Sequence, residues 1–534
     1  MTNGDDDRTD ATPAPAAPHT RRDFLRATAA AAGASLLASC IRGSGSSDPE
    51  PLLGLAPPYM AGIERLVVVM MENRSFDNLL GYLYADDLTQ PPPQWPAQVG
   101  LPYALPPGKK FEGLWQFKVS PANCTGTPGS STCSGTLGSN YDAGTWYGVH
   151  PHDFAPTSTL AADWAHPSPN PGEGHRNTVD QLAAGTMNGF AANYAQAVAK
   201  TNTGDTVTDI MGSFTPAQLP VLSGLAWHFA VFDHWHCAVP SETYCNRSFF
   251  HASTSSGYVY NAPTAAEKNA GLTEEAKWAL NTAPTVFERL AATPDPATGQ
   301  PVAWRVYAST NATYPQGLTA FIHPKAAATY TSQFVGIDEF CQDVACGNLP
   351  RYSFVETLYG GEADFHPPQD VRSGEEVLRQ VYEAIRTSGT NGKRDYTRDT
   401  MILIVFDEHG GTYDHVVPPR APAPPAATNA VPDSSFDFKD LGVRVPAIAI
   451  SSYTLPNTIV NTPVHHAAVI RTLARKYGFA PLNARDADPG GGDLSLAYNV
   501  AVPRAPSDWP AFTTPVSAKA VKLGCGTATT CPKT

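Results

Sequence analysis

The chain contains two short, continuous apolar runs that each stop at oxygen-bearing side chains. The first, Glu64-Arg-Leu-Val-Val-Val-Met-Met-Glu-Asn-Arg-Ser-Phe-Asp77, delivers Glu72 and Asn73 at its end. The second, Met401-Ile-Leu-Ile-Val-Phe-Asp-Glu-His-Gly-Gly411, delivers Asp407 and Glu408. Aliphatic and β-branched residues without polar alternation are the mark of a strand covered on both faces, as in parallel sheets. Ligands of such sheets gather beyond the carboxyl ends of the strands, so the two runs can set four oxygen donors around one hard cation. The pattern predicts a metal-dependent hydrolase in which Glu72, Asn73, Asp407 and Glu408 hold one divalent metal ion. Mixed carboxylate and amide ligation suits calcium, magnesium, manganese or zinc.

Other segments fit the same fold class. Residues 66–71, 304–307, 401–406 and 445–450 read as core strands, and 285–290 and 465–477 as helices. Residues 374–385 have helical spacing, with Val377, Leu378, Val381, Tyr382 and Ile385 on one face. Strands alternating with helices predict an α/β protein with a mostly parallel central sheet covered on both sides. Residues 91–168, rich in Pro, Gly, Thr and aromatics, read as a surface insertion, and 418–436 as a second long loop.

The first 40 residues concern delivery. Thr20-Arg-Arg-Asp-Phe-Leu-Arg26 is a twin-arginine signal, followed by an apolar stretch too short to span a bilayer. It ends in Leu37-Ala-Ser-Cys40, which resembles the lipobox of bacterial lipoproteins. Residues 1–40 therefore form a signal peptide and 41–57 a Gly/Ser/Pro-rich tether, with a plain signal peptide cut nearby as the other reading. The destination is periplasmic, cell-envelope or secreted. Of nine cysteines, setting Cys40 aside leaves eight in close pairs. Nearest-neighbour bonding would join Cys124 to Cys133, Cys237 to Cys245, Cys341 to Cys346 and Cys525 to Cys531, the last closing a tail at 522–534, although other connectivities are open. The net charge of −13 argues against nucleic acid as a partner, because phosphate-backbone binding relies on clustered Lys and Arg.

Five segments also occur in a familiar order: Glu72-Asn-Arg-Ser-Phe-Asp77, Met211-Gly-Ser-Phe-Thr-Pro-Ala-Gln-Leu-Pro220, Thr243-Tyr-Cys-Asn-Arg247, Asp407-Glu-His-Gly-Gly-Thr-Tyr-Asp-His-Val-Val-Pro-Pro419 and Arg444-Val-Pro446. In this the chain resembles the bacterial phosphoesterase family, which includes phospholipases C of the phosphatidylcholine type and broad-specificity acid phosphatases. The resemblance implies an alkaline-phosphatase-like three-layer sandwich with long loop insertions, over a domain spanning 58–521. It implies that Glu72, Asn73, Asp407 and Glu408 bind metal and that Thr243 is the nucleophile, although Ser241-Glu242 and Cys245 depart from the family pattern around it. Asn246 would donate to a phosphate oxygen or cap a helix. Glu173, with His175 on the same strand face, would face the cation or the phosphate. His366 and His466 would transfer protons, while His409, Asp414 and His415 suit supporting roles as well as catalytic ones.

The expected activity is hydrolysis of a phosphate ester, phospholipase C-like or acid phosphatase-like, with a phospholipid head group as one substrate class. The reading from another class is a non-catalytic surface lipoprotein stiffened by its cation. Oligomeric state is not legible. For localisation, Arg21-Arg22→Lys-Lys should block export and Cys40→Ser should release a soluble form, both read by cell fractionation. Unchanged membrane association of the Cys40 variant would remove the lipid tether while leaving the export signal untouched.

Overall fold

In the computed structural model, the described residues are 59–513 apart from 85–104, 116–138, 144, 202–205, 358–362, 391–392 and 427–434, together with 515, 523 and 531. The signal segment, the tether, Cys124, Cys133 and Cys525 lie outside them. Eight strands form the central sheet: β1 (Arg65–Met71), β2 (Ala230–Phe232), β3 (Trp304–Ala308), β4 (Phe334–Gly336), β5 (Tyr352–Glu356), β6 (Thr400–Phe406), β7 (Ala447–Ile450) and β8 (Thr458–Val460). Their spatial order is β8-β2-β7-β6-β1-β5-β3-β4. Only β7 runs against its neighbours, pairing antiparallel with β6 and β2, and the other pairs are parallel.

Central position explains composition. β1 lies between β5 and β6, with Met70 opposite Glu356 and Met71 opposite Phe406, and every residue of β1 and β6 is buried. Such strands need apolar side chains on both faces, which is why neither run alternates. At the carboxyl edge the three neighbours bring acids together: β5 ends at Glu356, and Glu72 and Asp407 directly follow β1 and β6.

Seven helices matter for the site and its support: α1 (Phe76–Leu80), α2 (His175–Leu182), α3 (Pro220–His228), α4 (Thr243–Ala252), α5 (Asp338–Cys346), α6 (Val371–Arg386) and α7 (Ala468–Tyr477). The periodic stripe read at 374–385 is the buried face of α6, which starts earlier because Asp370 caps it by accepting from the Arg372 amide. On the same helix Glu375 is buried and accepts from the Val221 and Leu222 amides, at 2.7 and 2.8 Å, in the first turn of α3. A carboxylate there complements the unpaired amides and positive end of α3. The helix read at 465–477 begins only at Ala468, because Val464 and His465 pair with Trp235 and His236 in a two-residue ladder. Gly478, at φ 82°, ends α7 in the left-handed conformation that a side chain would oppose. Among the described residues no helix is long and apolar enough to cross a membrane.

The cysteine pairing differs from nearest-neighbour bonding. Cys346 is joined to Cys531, 185 residues away, so the tail is tied to the end of α5 rather than closed on itself through Cys525. Cys341 and Cys346 lie five positions apart on one helix, where their side chains diverge too far to be bridged. Cys341 is disulfide-bonded elsewhere, and Cys237 and Cys245 are buried thiols rather than a pair. Closing so long a loop restricts the unfolded chain strongly, so Cys346→Ser should lower unfolding free energy by about 2–5 kcal/mol. Peptide mapping without reductant should recover Cys346 linked to Cys531. A Cys341–Cys346 peptide would contradict the arrangement.

Candidate active site

The carboxyl ends of the three central strands converge on one guanidinium. Arg247, on α4, donates through Nη2 to Glu72 Oε1 and through Nε to Asp407 Oδ2 at 3.1 Å, with Nη1 3.5 Å from Glu356 Oε2. All four side chains are buried. Burial works against the charge on Arg247, but Glu72, Asp407 and Glu356 outweigh it and hold the guanidinium protonated. Glu356 also accepts from the Thr319 hydroxyl at 2.6 Å.

The same helix presents Thr243. As the first residue of α4, with Glu242 at the cap, it shares a face with Arg247 one turn on. Thr243 Oγ1 lies 3.4 Å from both Glu72 Oε2 and Asn73 Oδ1. The sequence expectation for Asn246 is corrected here. Its Nδ2 donates to the Ser241 and Val239 carbonyls at 2.8 and 3.1 Å, and its Oδ1 accepts from the Val239 amide at 3.0 Å. The whole amide is committed to shaping the loop before Thr243, and Asn246 lies inside α4 rather than at its cap.

Asn73 sits at φ 51°, a left-handed conformation that Asn tolerates better than most residues. From there its amide nitrogen reaches the Asp407 carboxylate at 3.2 Å, while Nδ2 donates to Glu173 Oε2 at 2.9 Å. Glu173 in turn lies 3.5 Å from His366 Nε2. Burial lowers the proton affinity of His366, but Glu173, Glu72 and Asp364 reverse this and raise its pKa to about 10. Burial pushes Glu173 upward, and His366 and Asn73 bring it below its ordinary value. The strand expected to align Glu173 with His175 is absent: Glu173 is in a loop and His175 opens α2, its Nδ1 2.7 Å from the Pro240 carbonyl.

His466 is close to the site but is not free to shuttle protons. Trp235 donates to Nδ1 at 3.1 Å, so the proton sits on Nε2 and is donated to the Asp407 carbonyl at 2.6 Å. Burial lowers its pKa to about 4, which keeps the ring neutral. His466 thus positions Asp407. His409 packs behind Glu408 and donates through Nε2 to Gln181 at 2.8 Å. Asp414 and His415 belong to a network around Arg444, which donates to Asp77 and Asp414 at 2.8 and 3.0 Å, while His415 pairs with Asp77 at 2.6 Å. That network explains why the Ser-Phe-Asp, Tyr-Asp-His and Arg-Val-Pro motifs occur together. The paired glycines have a packing reason: a Cβ on Gly410, at φ +61°, would lie 2.1 Å from the Asn73 carbonyl oxygen.

Three contributors escaped sequence reasoning: Arg247, Glu356 and Asp364. Glu356 ends an apolar run exactly as Glu72 and Asp407 follow theirs, and Arg247 is four residues after Thr243, so both carried a readable signal. Asp364 accepts from the His366 amide at 3.0 Å, and burial raises its pKa to about 7.

The donor set fits a hard divalent cation. Three carboxylates and an amide oxygen are the ligand types such ions take. Two buried carboxylate oxygens, Glu408 Oε1 and Asp364 Oδ2, have no hydrogen-bond partner. Burial first, then like-charged neighbours, Asp407 beside Glu72 and Glu173 with Asp407 beside Glu408, push both Glu72 and Glu408 well above the usual carboxylate range, the direction that a bound cation would reverse.

Known proteins share sequence with much of this chain. A model of the phosphoesterase family matches residues 63–480. Non-specific phospholipase C5 of Arabidopsis thaliana is 32% identical over 309 residues, covering 56% of this chain and 50% of that protein. Phospholipase C B of Mycobacterium tuberculosis is 27% identical over 534 residues, covering 91% and 87%. The chain spans about half the length of this plant relative and of non-specific phospholipase C4 from the same plant. Among solved structures, an alkaline phosphatase superfamily protein from Vibrio parahaemolyticus aligns with a TM-score of 0.28 at 14% identity, over 50% of this chain and 63% of that one.

Removing the guanidinium strands three buried carboxylates. Arg247→Met should therefore destabilise the protein by about 3–5 kcal/mol in denaturant unfolding with chelator present, the scale for breaking a buried ion pair from one side. Stability within about 1 kcal/mol of the parent would contradict the central place given to Arg247.

Proposed function

This chain belongs to the phosphoesterase family, and on that premise we propose that it hydrolyses phosphate esters with Thr243 as nucleophile, acting as a phospholipase C-like enzyme on phospholipid head-group esters. The observation that carries the reading is Thr243 Oγ1 lying 3.4 Å from Glu72 Oε2 and from Asn73 Oδ1, at the first turn of a helix pinned by Arg247. The names of the relatives support the diester class over simple monoesters.

Glu72, Asn73, Asp407 and Glu408 would hold one divalent ion. When bound, such an ion lowers the proton affinity of a neighbouring hydroxyl and offsets charge on phosphoryl oxygens. The Thr243 hydroxyl gives its proton to Glu72 Oε2, 3.4 Å away, as its oxygen adds to phosphorus; the bond to the leaving oxygen breaks, and His366 Nε2 gives that oxygen its proton. Water then gives a proton to neutral His366 as it adds to phosphorus, and the bond to the Thr243 oxygen breaks as Glu72 returns the proton to it, which restores all three groups. Glu173 keeps His366 charged and oriented in the resting state. Substrate approaches from the side of His366 and Glu173, whose side chains are 15% and 18% exposed, since Thr243 itself is buried. The α4 amino terminus adds the positive end of its helix dipole where negative charge develops. Export through the twin-arginine route, with Cys40 as a lipid anchor, would set this chemistry against membrane lipid in the cell envelope.

Thr243→Val keeps the side-chain shape but removes the attacking oxygen, so turnover of a chromogenic phosphocholine ester should fall by about 10⁴ or more. Thr243→Ser should keep part of it. Asp407→Asn should lower bound metal and turnover together, and chelator should abolish the activity of the parent. Chelator-insensitive hydrolysis would overturn the metal assignment, and a Val variant within about tenfold of the parent would overturn the nucleophile.

A further inference from the structure

A second group of metal-binding side chains lies outside the site described above. His152, just past the His150–Pro151 bridge, His166 in the following loop, and Asp209 in the turn Val207–Met211 offer ligand atoms that all lie within 4.8 Å of one another. His152 is 7% exposed, and its Nε2 has no hydrogen-bond partner. His166 Nδ1 faces Asp209 Oδ1 at 2.8 Å, close enough to pair by charge but out of line for a hydrogen bond. The other oxygen of Asp209 accepts from the Ser168 amide at 2.8 Å, which fixes the carboxylate. The two imidazoles stack at a centroid distance of 4.7 Å and an interplanar angle of 23°.

The group is held in place from outside. Gln218 donates to the His152 carbonyl at 3.1 Å, and a Cβ on Gly212 would meet the His152 ring at 2.3 Å, so only glycine admits the ring there. An unpaired buried imidazole nitrogen costs free energy unless something occupies it. We propose that His152, His166 and Asp209 form a second cation site that takes a borderline transition-metal ion of the zinc class, distinct from the oxygen-only site at the strand ends.

The surrounding charges select the ion type. Arg74 donates to the His166 carbonyl, and its charge offsets that of Asp209, so a hard ion held by negative charge alone has little to attract it. Imidazole nitrogen binds zinc, cobalt and nickel through softer bonds that depend less on net charge. His150, whose ring centroid lies 6.4 Å from that of His152, is the other titratable group facing the cluster. Burial, with His166 and His150 nearby, keeps His152 well below its ordinary pKa and therefore in the neutral form that binds metal. An ion here would clip three separate chain segments together. It would also brace Arg74, the residue after Asn73, which donates to the Phe365 carbonyl at 2.6 Å beside His366.

The test uses the full mature chain, stripped with chelator and reloaded with zinc or cobalt. Metal analysis should find an equivalent that His152→Ala and Asp209→Asn each remove, while X-ray absorption at the zinc edge shows imidazole ligation that both variants lose. Reloading should raise the thermal midpoint of the parent by more than that of either variant. Asp209→Asn keeps the shape of the side chain, so it carries the comparison if the alanine variant folds poorly by circular dichroism. Because the strand-end site holds only oxygen donors, its failure to bind would leave the imidazole signal intact. Zinc bound without imidazole scattering, or metal content unchanged in both variants, would overturn the proposal.

Discussion

Arg247 lies inside the protein with Glu72, Asp407 and Glu356 around it, at the carboxyl ends of β1, β6 and β5. Moving one guanidinium and three carboxylates out of water is costly, and their attraction in a low-dielectric interior offsets that cost only when the geometry is closely matched. What the cluster provides is position. The strands bring the acids together because their registers align Met70 with Glu356 and Met71 with Phe406, and the cation then fixes α4 against all three. Thr243, one turn before Arg247, has its place set by that anchor, and Asn246 secures the loop behind it.

Much of this was legible because buried parallel strands impose a strong constraint on sequence. A run such as that of β1 or β6 admits only apolar residues, so the polar residue that ends it stands out. The same logic applied to Tyr352–Glu356 would have found Glu356, but that run is short and its Ser353 interrupts it. Arg247 was harder, since a cation does not advertise itself in a search for metal ligands. The parallel sheet and the helix at α6 were readable from periodicity, whereas the reversed direction of β7 was not, because pairing direction leaves no mark on a four-residue apolar strand.

The corrected residues share one physical cause. Asn246, His466 and the cysteines were read by chemical type, and their roles turned out to depend on which neighbour claims each polar atom. Asn246 has every donor and acceptor engaged by backbone, and both nitrogens of His466 are occupied. Conversely, His152 and Glu408 become informative because an atom of each is left over. Buried polar groups are nearly always paired, so the exceptions point to ligands more reliably than residue type does.

The central claim is that phosphoryl transfer passes through Thr243 in two displacements. Stereochemistry at phosphorus tests this most directly, using hydrolysis of a phosphorothioate diester of single configuration in isotopically labelled water. Each in-line displacement inverts the centre, so attack by Thr243 followed by water predicts net retention. Net inversion would contradict the account, because it requires water to attack phosphorus directly while Thr243 stands aside.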